Sequence, residues 1–329
     1  MFKTQNISYN GTAFNTLLLD NTSSFLWKII SPIILTLGLV GNTLIVYILM
    51  RMGFWKKTTY IYLFILAVSD STVLCVGLSR RWILEEFDVD VRLLSNLGCK
   101  VNLFVVYFSM HISSWTLVCL TAERFLKVKF PFHYISSNVS KKLMIMYIFI
   151  FITCVLVNCH FFWTNSLLEY QNKQQCNNTS IQYYIFEEKY FSIIDLVILS
   201  VIPFILMFSM NIVIGNVLRK SQKFRTNVQL KNQSGKFNKR CKRLTRMLFF
   251  TSAYFMCSTL PISVLFVLDS YISRISTDEM QAQLNLATTI FYLFQFSNYG
   301  VNFFIYVTIN KHFRRYLPRF VLLRRFIFK

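Results

Sequence analysis

The sequence predicts an all-α membrane protein, a bundle of seven transmembrane helices with a short amphipathic eighth helix after it. Three observations carry that prediction. The 329 residues are 54% hydrophobic and only 15% charged, with a mean hydropathy of +0.46; a soluble chain of this size carries about 25% charge. The apolar residues fall in seven long blocks, roughly 25–50, 59–80, 99–126, 142–163, 190–218, 244–269 and 285–309, each long enough to cross a hydrocarbon core of about 30 Å. The connections also alternate: those after blocks 1, 3 and 5 are basic, and those after blocks 2, 4 and 6 are acidic or mixed.

The net charge is +21. In a soluble chain that would suggest nucleic acid, but the placement of the charges argues for no nucleic acid and for a lipid bilayer. Arg219 to Arg246 holds 11 Lys and Arg with no acid, and Lys311 to Lys329 adds seven more. Most acids lie elsewhere, among them Glu85, Glu86, Asp88, Asp90, Glu187 and Glu188. Basic loops stay on the cytosolic side. The expectation is a multi-pass plasma-membrane protein with its N-terminus extracellular and its C-terminus cytoplasmic. A basic face toward anionic lipid is compatible with the same pattern.

Residues 1–24 are polar and form the expected extracellular, glycosylated N-terminus, with N-x-S/T sequons at Asn6, Asn10 and Asn21. No signal peptide is apparent, so the first span should act as its own insertion signal. Two more outer sequons, Asn177 and Asn178, follow span 4; Asn138 and Asn232 fall on the inside, where glycosylation does not occur. Residues 25–309 are the membrane domain. Residues 310–329 read as a cytoplasmic amphipathic helix and tail, with Phe313, Leu317 and Phe320 on one side and Arg314, Arg315 and Arg319 on the other.

Span 3 organises the rest. Between Lys100 and Glu123 there is no charged side chain. The helix from Cys99 to Arg124 is about 37 Å long at 1.5 Å per residue, so it reaches both interfaces. Six of the eight cysteines (75, 119, 154, 159, 241 and 257) fall inside spans or on the cytosolic side; only Cys99 and Cys176 lie outside, as a disulfide or as two free thiols. At the inner end, Arg124 either snorkels to the interface or pairs with Glu123 as a latch released when neighbouring helices move.

Five polar residues fall near mid-membrane: Asp70, Ser113, Asn298, Asn302 and Asn42. A carboxylate there is costly without partners. The cluster is either a structural hydrogen-bond network or a site for a Na⁺ ion or a proton near Asp70.

These features are similar, over about residues 25–320, to the rhodopsin-like, or class A, G protein-coupled receptors. The matches are Gly41-Asn42 in span 1, Leu66 to Asp70 (LAVSD) in span 2, Cys99 and Glu123-Arg124-Phe125 in span 3, and Pro203 in span 5. Phe255 and Pro261 match in span 6, and Asn302 to Tyr306 and then Phe313 at the end. The resemblance implies a Cys99–Cys176 disulfide, a sodium site centred on Asp70, and a heterotrimeric G protein facing Arg124. It also implies activation through Glu123, Arg124, Phe255, Thr259, Pro261, Asn302 and Tyr306. The chain departs from the family pattern in several places. Thr259 stands where an aromatic toggle is usual, and Phe303 replaces the proline of NPxxY. Phe149 or Phe151 lies near the usual span 4 Trp, and Asn211 replaces a tyrosine in span 5.

The ligand is approached by exclusion. Val106 stands where an amine receptor would carry an acid, and residues 285–309 hold no Lys for a retinal. What remains is a polar vestibule with Arg80 and Arg81 and a 26-residue loop from Thr164 to Lys189 pinned at Cys176. This suits a peptide and looks most like the invertebrate neuropeptide receptors of the FMRFamide type. The expected ligand-contacting residues are Arg80, Arg81, Val106, Tyr107, Met110 and Phe296, with the acids Glu85 to Asp90, Glu187 and Glu188 attracting a basic peptide. A constitutively active or scaffolding seven-helix receptor is the alternative reading. No metal-ligand spacing and no nucleophile motif argue against an enzyme. The absence of a repeat argues against a transporter.

Overall fold

The computed structural model describes residues 3–136, 138–170, 173–227, 234–272, 277–309 and 311–317, with side chains within 14–134, 138–169, 173–220, 246–268, 277–309 and 313–317. Seven long helices pack side by side. They are α1 (Lys3–Met52), α2 (Thr58–Phe87), α3 (Asn96–Lys129), α4 (Val139–Asn158), α5 (Ile181–Lys220), α6 (Ser234–Ile272) and α7 (Asp278–Ile309). A short helix, α8 (Lys311–Arg315), follows.

Six of these, all but α7, are long and apolar enough to span a membrane. α7 has the length, 32 residues, but its buried face carries Thr289, Gln295, Asn298 and Asn302. Those side chains lower its hydropathy because they are polar, and they are tolerated because they are buried in the bundle. The other helices show lipid-exposed apolar faces, such as Ile145, Ile148, Phe149 and Leu156 on α4. Such faces belong in hydrocarbon and would be a liability in water.

Helix starts differ from those read in the sequence. α1 begins at Lys3, not near 25, so the polar N-terminal segment continues the first helix. α5 begins at Ile181, not near 190. Ser180 caps it by accepting from the Tyr183 amide, and the helix continues through two π-helical turns, Phe186–Phe191 and Leu196–Val201. The long outer loop is therefore a β-hairpin, β1 (Asn165–Tyr170) antiparallel to β2 (Lys173–Asn178), with Leu167 opposite Cys176.

The core lies in two levels. The inner one gathers Tyr62, Leu66, Leu120, Phe255, Phe303 and Tyr306; the outer one gathers Trp27, Leu74, Leu78, Phe296 and Tyr299. Between them α1 and α7 touch backbone to backbone. A Cβ on Gly300 would sit 2.9 Å from the Cα of Gly38, so neither position admits a side chain without separating the helices. From α4, the aromatic that packs inward is Tyr147, whose hydroxyl meets Thr116 at 2.9 Å. Phe149 and Phe151, expected near that place, face outward at 67% and 45% exposure. The expected tail helix is described only as far as 317; Phe320, Arg319 and the rest lie outside the described residues.

Candidate functional site

The outer ends of the helices enclose a cavity of 350 Å³, within the range of small-ligand sites. Arg80, Arg81, Val106, Tyr107, Met110 and Phe296 all line it. The hairpin stands beside it, held at three points. Cys99 and Cys176 are joined with their Cα atoms 5.6 Å apart. Asn96 Oδ1, in the first turn of α3, accepts from Ser166 Oγ and the Leu167 amide. Glu187 Oε2, on α5, accepts from Asn165 Nδ2 at 3.0 Å and from Asn178 Nδ2.

Three of the acids expected to attract a basic ligand, Glu85, Asp90 and Glu187, are engaged within the protein. Asp90 is gripped by Arg92, whose Nη2 lies 2.7 Å from Oδ2, and Arg80 stands 3.9 Å away. Burial pushes the Asp90 carboxyl up, but the side-chain and backbone hydrogen bonds from Arg92 outweigh it and hold it below the usual carboxylate range. Glu85 pairs with Arg81 at 3.5 Å. Among the outer sequons, Asn21 and Asn177 are exposed, while Asn178 is half-buried and spent on Glu187. The side chains of Asn6 and Asn10 lie outside the described residues.

Deeper, Asp70 is fully buried. Its Oδ1 accepts from Ser113 Oγ at 2.6 Å and its Oδ2 from Asn302 Nδ2 at 2.7 Å, which joins α2, α3 and α7. Asn42 turns instead to the Tyr299 carbonyl at 2.9 Å. Direct contact with Asp70 is thus limited to two of the four expected partners. The Oδ1 atoms of Asn42, Asn298 and Asn302 are buried without a hydrogen-bond partner. So are the hydroxyls of Thr259 and Tyr306. Phe255 is fully buried beside them in the inner core, Pro261 lies within α6, and the Tyr306 ring meets Phe313 at 6.0 Å.

At the inner end the expected Glu123–Arg124 latch is replaced by a wider network. Glu123 is fully buried; Oε1 accepts from Lys127 Nζ at 2.6 Å and from the Tyr134 hydroxyl at 3.2 Å. Its Oε2 accepts from Thr59 Oγ1 at 2.7 Å, and Arg124 Nη2 donates to that same Thr59 oxygen at 3.0 Å. The physical reason is helical geometry: neighbours at i and i+1 diverge, whereas Glu123 and Lys127 stack one turn apart. Tyr134, on the short helix Pro131–Ser136, is partly buried, and that burial raises its phenol pKa.

A further polar group has no counterpart among the sequence motifs. His111 on α3 is fully buried, with Nε2 3.3 Å from Asp195 Oδ1 on α5 and Nδ1 3.1 Å from Asn158 Nδ2 on α4. What marks these residues in the sequence is that each interrupts an apolar span, where a polar side chain needs a partner.

The profile described as 7 transmembrane receptor (rhodopsin family) matches residues 41–306. The chain belongs to the rhodopsin family of seven-transmembrane receptors. Similar proteins include galanin receptor type 2 of Homo sapiens, 23% identical over 286 residues and covering 86% of this chain and 69% of that one. Cysteinyl leukotriene receptor 1 of Cavia porcellus is 22% identical over 259 residues, 78% of this chain and 71% of that one. The tachykinin-like peptides receptor 86C of Drosophila melanogaster is 22% identical over 311 residues, 90% of this chain and 58% of that one. Membership in the rhodopsin family makes the chain a multi-pass membrane receptor and not an enzyme.

Proposed function

We propose that this receptor sits in the plasma membrane with its N-terminus outside, binds a peptide in the outer cavity, and passes the signal to a heterotrimeric G protein at the inner end of α3. The observation that carries the reading is the cavity itself, walled by six helices and flanked by a hairpin tied to α3 by a disulfide and to α5 by Glu187. A hairpin so placed offers backbone groups and polar side chains at the mouth, and extended peptides use such groups. Galanin and tachykinin-like receptors among the relatives support the same class.

The residues around Asp70 fit a Na⁺ ion. A buried carboxylate and the buried, unpartnered Oδ1 atoms of Asn42, Asn298 and Asn302 make an all-oxygen donor set, which suits a hard cation. Bound there, Na⁺ would supply a positive charge to the acid; Asp70, Ser113 and Asn302 themselves tie α2, α3 and α7 together.

The test is G protein activation in transfected cells, wild type beside Arg124→Ala, against a neuropeptide library. A peptide response lost in Arg124→Ala, with surface expression intact, supports the reading. A high basal signal with no peptide dependence, lost in the variant, supports the constitutive alternative. An absence of any signal from surface-expressed protein counts against both.

A further inference from the structure

The outer cavity holds charges of both signs, and they stand apart. Arg80, Arg81 and Arg92 line the side built from α2 and the turn after it; Glu187 and Asp195 line the α5 side. A second hollow of 230 Å³ continues along α5 and shares Tyr107, Glu187 and Asp195 with the first. Tyr107 lines both hollows, and Tyr292 lines the first.

The arginines are not equally engaged. Arg92 is held by Asp90 through Nε and Nη2. Arg81 has Glu85 at 3.5 Å and the Trp27 ring at 5.2 Å. Arg80 approaches Asp90 only through Nε, at 3.9 Å, which is beyond hydrogen-bond reach. Its guanidinium makes no hydrogen bond among the described residues.

Asp195 is the matching case on the other wall. Asn158 Nδ2 donates to the Cys154 carbonyl at 2.7 Å, which fixes the amide so that the same nitrogen faces His111 Nδ1. That leaves His111 Nε2 as the ring atom toward Asp195, 3.3 Å from Oδ1. Oδ1 of Asp195 is buried against that imidazole without a hydrogen bond, and the 12% of the side chain left exposed opens on the two hollows. Asp195 sits on α5 between its two π-helical turns, one ending at Phe191 and one beginning at Leu196. Such turns re-aim side chains in a helix wall.

We propose that Arg80 and Asp195 are the two charged anchors of the cavity, and that its ligand carries an anionic group for Arg80 and an amine or guanidine for Asp195. This rests on the peptide reading above, in which the anionic group is a carboxylate. Each anchor is held in a low-dielectric wall without full compensation, so an opposite charge gains more there than in water. A ligand missing either charge leaves one anchor unpaired, and that asymmetry gives selectivity.

The test uses the full-length receptor purified in detergent micelles and a pool of synthetic tripeptides with arginine first and random second and third positions. Four forms are compared: both ends free; the carboxylate amidated; the first residue replaced by acetyl-norleucine; and both changes together. Binding is read as the concentration that half-saturates the thermal shift. The doubly charged pool is expected to half-saturate at least about tenfold below either singly blocked pool. Arg80→Gln should erase the difference between acid and amide and leave the other preference intact. Asp195→Asn should erase the preference for the cation, and Asp195→Glu should retain it. The unliganded melting midpoint is read first, and if Asp195→Asn does not fold, Asp195→Ser tests the same point. Equal half-saturation for all four forms, no shift with any of them, or a charge preference untouched by the variants overturns the proposal. ε-Aminocaproate has both charges and no peptide bond. If it shifts the receptor as the doubly charged pool does, with the same dependence on Arg80 and Asp195, the two anchors stand and the peptide reading falls.

Discussion

Asp70 and Asp195 are both carboxylates inside apolar helices, yet their surroundings differ in kind. Asp70 is fully enclosed, and each oxygen accepts a hydrogen bond, one from α3 and one from α7. Asp195 is 8% exposed, has a single imidazole neighbour at 3.3 Å, and opens on the cavity. A buried acid must be compensated. The first is compensated from within the bundle, so it ties helices together. The second is left partly unmet, so it has interaction energy to offer something that arrives from outside.

The comparison predicts unequal costs. Asp70→Ala strands the donors of Ser113 and Asn302 at full burial, and each buried donor left unmet costs about 1–3 kcal/mol. Asp195→Ala removes the neighbour of one imidazole nitrogen, His111 Nε2, that already lacks a hydrogen-bond partner, so it should cost about 1 kcal/mol or less. Thermal unfolding of the purified variants checks this. Equal losses would mean that Asp195 is as structural as Asp70, and the contrast would be gone.

The sodium reading sharpens the same contrast. A cation that binds only the folded state raises the melting midpoint by mass action. Replacing choline chloride with sodium chloride at equal ionic strength should raise the midpoint of wild type and of Asp195→Asn, and leave Asp70→Asn unmoved. A sodium shift surviving in Asp70→Asn would place the ion elsewhere.

Glu123 is a third buried acid, and it resembles Asp70 in being fully enclosed and bonded from several sides. Glu123→Gln keeps an acceptor for Thr59 but loses the ion pair with Lys127. A charged hydrogen bond of that kind contributes about 1.5–3 kcal/mol, of which only part separates the resting arrangement from others. The expected outcome is a basal rate of nucleotide exchange on the G protein raised several-fold, up to about tenfold. An unchanged basal rate would show that the network holds the protein's fold and not its state.

Much of this architecture is legible in the sequence. Seven spans and their order follow from apolar runs; which cysteines reach the outside leaves Cys99 and Cys176 as a disulfide or two free thiols, and the family resemblance implies the pairing that the structure shows. Composition does not depend on neighbours in space. The start of α5 was hidden because Tyr183 to Tyr190 holds two glutamates and a lysine and reads as loop; the cap at Ser180 and the first π-helical turn carry it as helix. Partnerships were the hardest to see. Glu123 adjoins Arg124 in sequence, but its Oε2 partner, Thr59, is 64 residues away. His111, Asn158 and Asp195 come from three spans and share no motif, so only packing brings them together. The six residues expected at the ligand site did converge on one cavity, because helical spacing places Val106, Tyr107 and Met110 on a common face.

Asp90 gives the smallest test and the cleanest sign. It lies outside the membrane, and Arg92 closes on it with hydrogen bonds from both side chain and backbone. Burial acts against the charged form, but those bonds prevail and its folded pKa is depressed. A depressed acid stabilises the fold above its unfolded pKa of about 4, and that contribution disappears as pH falls through the lower, folded value. The difference in melting midpoint between wild type and Asp90→Asn should therefore stay constant from about pH 8 to about pH 5 and shrink only below about pH 4. If it shrinks already near pH 6, burial outweighs Arg92 and Asp90 takes up a proton while folded. Arg80 would then face the cavity with even less compensation, which would strengthen its claim on an anionic ligand as the pH falls.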